Sequence, residues 1–420
     1  MPSHTAEVLA AVIFALALIH TFAAKQVELL SYRFPRHAGM FHLLGEVEVI
    51  FGFWAIVLVV VLALVNGQAQ ALVYAESRHY TEPLFVFVVM VVSAARPVLV
   101  AVVGTVNFVA TRLPIATPLA KAWLGLAMVP LLGSLITEPA AMTIAALMLA
   151  PQIFRPGIPE PMKYLALGVL FVNVSIGGTL TSFAAPPVLM VAKSWQWTSA
   201  FMLATFGWKA ALAVVVNATL ATVALRRHLQ IEPPEPEQSV VSKRIPLRVI
   251  AIHLAFLAGV VVFAHHAVVF IALCLMFLGF SEAYERYQSP PILKEALLVG
   301  FFLAGLVVLG GLQEWWLAPI VSDMSPNVLL FGATGLTAIA DNAALTYLGS
   351  LIAGISDDAK YSLVAGAVAG GGLTVIANAP NPAGIALLKA GFADGSIGAG
   401  GLFLGALLPT VIALAALALL

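Results

Sequence analysis

Charge is scarce in this chain. Lysine, arginine, aspartate and glutamate make up 10% of its 420 residues, and 61% are hydrophobic. Soluble domains carry about 25% charged residues, so this composition cannot clothe a water-facing surface and belongs in lipid. The 20 basic residues equal the 20 acidic ones, and without a basic excess nothing marks a nucleic-acid partner. A single cysteine, Cys274, excludes an internal disulfide and leaves no second thiol to share a metal; it reads as packing. His20, His253, His265 and His266 have no metal-ligand spacing and read as interfacial or packing groups. The stretch "GAVAGGGLT" (366–374) lacks the Gly-Lys-Ser/Thr ending of a phosphate-binding loop. No nucleotide site and no resident cofactor are therefore expected. The first run, 5–24, lacks the basic opening of a signal peptide, since the first lysine or arginine is Lys25. It reads as a retained transmembrane helix.

What the chain has instead is apolar length. A spanning helix needs roughly 20 apolar residues, and the runs 5–24, 43–65, 83–111, 198–226, 247–264, 267–280, 291–311 and 396–420 are candidates. Residues 117–153 and 326–356 are apolar but carry polar groups near their centres, whereas 162–193 and 360–390 are broken by glycine and proline. The polar stretch 227–246, "RHLQIEPPEPEQSVVSKRIP", marks a linker between a first half, 1–226, and a second, 247–420. If 117–153 and 326–356 are re-entrant hairpins, 15 of the 20 lysines and arginines fall on the linker's side. Three, Arg78, Lys193 and Lys360, fall opposite, and Arg96 and Lys209 lie within helices. Cytoplasmic loops are enriched in lysine and arginine, which predicts a cytoplasmic linker. Each half then crosses five times, about ten spanning helices in all, and the second half is inverted.

An internal repeat supports that inversion. "ITEPAAMT" (136–143) lies over "IADNAALT" (339–346), matching Glu138 with Asp341. "GGTLTSFAAPP" (177–187) lies over "GGLTVIANAPN" (371–381), matching Gly177 and Gly178 with Gly371 and Gly372, and Ala185-Pro186 with Ala379-Pro380. Inverted repeats with broken helices are a transporter architecture. Unwound backbone is tolerated in hydrocarbon only where protein or a watered cavity surrounds it. Gly177, Gly178, Pro186 and Pro187, then Gly371, Gly372 and Pro380, thus mark two breaks near the midplane. Such breaks free carbonyls for cations and amides for anions. Pro139, suited to a first helical turn, predicts that Glu138 opens the second arm of its hairpin at a tip facing a cavity.

These stretches, with "FVNVSIGGTLTSFAAPPVLMV" (171–191), "ADNAALTYL" (340–348) and "VIANAPNPAGIALL" (375–388), resemble the ArsB/NhaD members of the ion transporter superfamily, NhaD-type sodium/proton antiporters in particular. The resemblance implies an all-α polytopic fold with an elevator-like body made of both hairpins and both broken helices, a scaffold of the other helices, and a homodimer. The chain departs from it at Ala344, where such repeats usually carry proline, and neither tip shows the Ser-Asn-Thr signature of dicarboxylate carriers. A bacterial inner membrane is the expected location, with the lipid bilayer and inorganic cations as partners.

Intramembrane acids are functional candidates by default, so Glu138 and Asp341 lead as the proton- and Na+-binding pair; the alternative is structural pairing with a buried base. Asn173, Thr179, Thr181, Asn342, Thr374, Asn378 and Asn381 offer the hard oxygen that Na+ prefers. Their alternative, shared by Ser134 and Thr137, is interhelical hydrogen bonding. Lys209 and Arg96 either neutralise an acid when the ion is absent or pair structurally with Glu46 or Glu48. Three functions compete. The first is cation/proton exchange. The second, transport of a small carboxylate or arsenite, is opposed by two acids at the site. The third, an intramembrane aspartyl-type enzyme, predicts no inverted repeat and no paired hairpins, so the repeat disfavours it.

Overall fold

A computed structural model describes residues 4–229 and 245–420; residues 230–244, most of the expected linker, lie outside the described residues. Among the described residues the chain is helical without strands, as lipid demands of a chain that must satisfy its own backbone. Six helices are long and apolar enough to span a membrane: His4–Arg33, Glu48–Asn66, Glu160–Leu180, Ser199–Leu225, Leu293–Gly310 and Ala399–Leu419. Two bent pairs raise that number to eight, Thr81–Ser93 with Arg96–Ala110 and Thr117–Leu126 with Met128–Ile136. Leu247–Val262 and Ala267–Ala283, at 16 and 17 residues, fall just short in length. The protein is an all-α polytopic membrane protein.

The expected span 83–111 is not one helix. It bends by 66° between Ser93 and Arg96, where Pro97 can only begin a new first turn. Ser199–Leu225 carries one π turn at Leu203–Gly207. Residues 117–153 fold back on themselves, Thr117–Ile136 against Glu138–Leu149, and in 326–356 the chain turns from Pro326–Thr337, which packs mainly on Asp357–Gly370, into Asn342–Ser350. Residues 162–193 and 360–390 unwind between Glu160–Gly177 and Pro186–Ala192, and between Asp357–Gly370 and Asn381–Leu388.

The helices pack in two groups that cut across the sequence halves. The hairpin group holds both folded-back segments, both broken helices, Trp208–Leu225 and Ala399–Leu419. Within it, Pro186–Ala192 packs on Asn342–Ser350 while Asn381–Leu388 packs on Glu138–Leu149, so each hairpin's second arm rests on the other half's broken helix. The flanking group holds His4–Arg33, Glu48–Asn66, Thr81–Ser93 and the helices from Leu247 to Gly310, while Arg96–Ala110 packs on both groups. Small residues let backbones meet in lipid. A Cβ on Gly168 would fall on the Gly405 carbonyl carbon in the hairpin group, and one on Gly305 on the Gly52 amide in the flanking group.

These seams are testable. Gly168→Ala should lower the thermal unfolding midpoint by several degrees, since overpacking costs about 1–3 kcal/mol. Gly104→Ala, whose Cβ meets nothing within 4 Å, should leave the midpoint unchanged or slightly raised. Thermal scans of the detergent-purified variants decide it; equal midpoints would mean the Gly168–Gly405 seam is not tight.

Candidate functional site

Each folded-back segment turns at an acid, and the two turns are capped differently. Thr137 precedes Glu138–Leu149 with φ of 82°, a region that a β-branched residue occupies only when held there. Its amide donates to Gly133 O at 2.7 Å and its hydroxyl lies 3.4 Å from Ser93 Oγ. Pro139 takes the first turn of the following helix, as expected. Asp341 instead caps Asn342–Ser350, its Oδ1 accepting from the amides of Ala343 and Ala344 at 2.8 and 3.1 Å.

Glu138 is fully buried. Its Oε2 accepts a hydrogen bond from Asn378 Nδ2 at 2.7 Å, while Oε1 has no partner among the described residues and faces Gly178, where a Cβ would stand 2.5 Å away. Asp341 lines one cavity with Asn378, the residue that holds Glu138. Among the described residues, no lysine, arginine or histidine forms an ion pair with either acid.

The unwound stretches surround this pair and are stitched by side chains. Ser134 Oγ donates to Gly177 O at 2.6 Å and accepts from the Leu180 amide at 3.0 Å, and Thr181 Oγ1 donates to Ser134 O at 2.7 Å. In the second break Thr374 Oγ1 donates to Ala338 O at 2.8 Å. Asn381 Nδ2 donates to Gly371 O and Thr374 O at 2.8 and 2.9 Å. Residues 371 and 372 must be glycine for close approach: a Cβ would fall on Ser175 Oγ and on the Val172 amide. Several buried polar atoms here lack partners among the described residues, namely both side-chain atoms of Asn342, Asn378 Oδ1, Asn381 Oδ1 and Thr337 Oγ1. Each such atom costs about 1–3 kcal/mol, so their concentration at and beside the second break fits a place that receives a ligand.

Other expected residues are committed elsewhere. Asn173 Nδ2 donates to Leu126 O and Val214 O, and its Oδ1 accepts from Asn217, which also reaches Pro409 O. Thr179 Oγ1 donates to Ile176 O in its own helix. The expected pairing of Lys209 with Glu46 or Glu48 does not form. Lys209 Nζ donates to Tyr361 OH at 2.9 Å, above a ring whose hydroxyl donates to Leu417 O, and Glu46 pairs with Lys294 at 3.2 Å. The reason is placement: Lys209 belongs to the hairpin group and Glu46 to the flanking one. Sequence reasoning missed Ser93, Asn217 and Thr337, and gave Glu48 no place beside Asp341.

Two cavities lie along the boundary between the helix groups. One, of about 270 Å³, sets Glu46, Glu48, Val299 and Phe302 against Asp341 and Asn378. The other, of about 390 Å³, sets Arg78, His79, Glu82 and Val307 against Lys193, Tyr347 and Ser350. Val299 and Val307 sit on one helix, roughly 12 Å apart at 1.5 Å per residue.

Apolar spans, folded-back segments and a fully buried acid at unwound helices mark a multi-pass membrane protein of the transporter class. The particular family follows from comparison: residues 5–420 match the family described as "Putative Na+/H+ antiporter", and the chain belongs to it. That membership implies a transporter and not an enzyme. No curated protein matches the chain.

The two asparagines should separate by readout. Asn173→Ala should lower the thermal midpoint, as losing buried partners costs about 1–3 kcal/mol, with the apparent KM for Na+ within about twofold of wild type. Asn378→Ala should change that KM by more than its midpoint. Na+ titrations beside thermal scans check both, and the reverse pattern would exchange their roles.

Proposed function

We propose that the protein exchanges Na+ for H+ through Glu138 and Asp341, by alternating access in which the hairpin group moves against the flanking group. The observation that carries this reading is the fully buried Glu138, held by Asn378 and paired with no base among the described residues. An uncompensated buried carboxylate is too costly to keep. It must hold either a proton or a cation, and the two then exclude each other. Exchange follows from that exclusion.

The geometry supports the rest of the reading. Asn378 comes from the second half and Glu138 from the first, so the pair joins the two expected repeats. Cross-packing of each second arm on the other half's broken helix fits an inverted relation between the halves. Denser packing within the two groups than between them, with a cavity at each of two levels of the boundary, fits an elevator-like displacement. The departure at Ala344 notwithstanding, these features favour the ArsB/NhaD likeness. A cavity lined by three acids and no base favours a cation over a carboxylate or arsenite.

The test is proton efflux from proteoliposomes under an imposed pH gradient, with Na+, Li+ or K+ added in turn. Glu138→Gln and Asp341→Asn keep shape and lose the exchangeable charge. Each should cut Na+-dependent efflux at least about tenfold, equivalent to roughly 1.4 kcal/mol, with expression retained. Wild-type rates in both variants would make the acids structural and end the proposal.

A further inference from the structure

The smaller boundary cavity holds a carboxylate that the Glu138–Asp341 pair does not account for. Glu48 stands in the first turn of its helix, on the flanking group, and lines the cavity with Glu46, Asp341 and Asn378. Among the described residues no lysine, arginine or histidine lines it. Lys294 is bonded to Glu46 Oε1 at 3.2 Å and is 71% exposed, so it offsets Glu46 at the rim. Glu48 has no ion pair among the described residues.

Acids alone do not make a site. The second observation is Asn378, which lines the same cavity at 1% exposure. Its Nδ2 is spent on Glu138, leaving Oδ1 unpartnered. An amide carbonyl oxygen beside carboxylates is the donor set of a hard cation.

We propose that this cavity is a staging site for the transported alkali cation, shared between Glu48 on one helix group and Asp341 on the other, from which the ion passes the Asn378 carbonyl to Glu138. The proposal rests on the antiport reading and adds a second station to it. Among the described residues no three His, Cys, Asp or Glu side chains converge to chelate one ion. The ion is therefore held loosely and keeps much of its water, for which about 270 Å³ leaves room for several molecules. Loose holding suits transport, because an ion must bind well enough to enter and weakly enough to leave. The station exists only while the faces bearing Glu48 and Asp341 meet, so it belongs to one access state.

The experiment uses the full chain in proteoliposomes, with Na+ supplied from either side in turn and the apparent KM for Na+ as the readout. Glu48→Gln should raise KM about tenfold, with a much smaller fall in maximal rate. Lys294→Gln should lower KM about twofold, because it releases the charge of Glu46 at the rim. Opposite signs are the signature, since a merely structural role would weaken transport in both. If Glu48→Gln does not reach the membrane, Glu48→Asp replaces it, with a KM raised about threefold. A KM within experimental error of wild type in the Glu48 variant, with Glu138→Gln inactive, overturns the staging site and leaves the pair standing. Wild-type protein that releases no protons to any alkali cation overturns both.

Discussion

The hydrogen bond from Asn378 to Glu138 joins side chains 240 residues apart, and the middle of the molecule is arranged around it. To make it, the turn at Thr137 must adopt a left-handed backbone, and the second broken helix must unwind where Asn378 can reach across. Gly178 must lack a side chain, because Glu138 Oε1 occupies that space. Helix Glu160–Gly177 must press on the second break, and glycines 371 and 372 permit it. Each is a small distortion that helices in lipid normally avoid, and all converge on one carboxylate.

Unwinding two helices inside an apolar protein exposes backbone groups that no water reaches, and the structure answers with hydroxyls and amides. Ser134, Thr181, Thr374 and Asn381 close the carbonyls and amides around the breaks. Many of the polar side chains near the acids thus hold the backbone, and fewer stay free for a ligand. Those with unpartnered atoms, Asn342, Asn378 and Asn381, all lie at or beside the second break. The second half therefore supplies most of the free ligand chemistry and the first half the most deeply buried acid.

How much of this was legible in the sequence follows from what each feature perturbs. Glu138, Asp341 and the glycine-proline breaks stood out because they interrupt apolar runs, and the structure does place helix ends and turns there. The roles of Asn173 and Thr179 were not legible. A buried asparagine that clamps helix carbonyls and one that faces a ligand have the same residue type and depth, and only tertiary partners distinguish them. The bend before Arg96 was hidden because the apolar residues on either side of Arg96 and Pro97 are long enough together to read as one span, so hydropathy carried no sign of it. Glu48 was read only as a structural partner for Lys209 or Arg96. Its relation to Asp341 arises between groups distant in sequence, and no local pattern records such a meeting.

That no base among the described residues pairs with Glu138 bears on leak. On the proposed mechanism, a fixed lysine at that point would let the empty site cross the bilayer as a neutral pair, and protons would run down without sodium. Lys209, one of the two bases considered for that role, is bound to Tyr361 instead. The unloaded carboxylate is then a bare charge facing the full solvation penalty of the membrane interior. Tight coupling would come from that penalty alone, with no latch or gate needed to forbid the empty return.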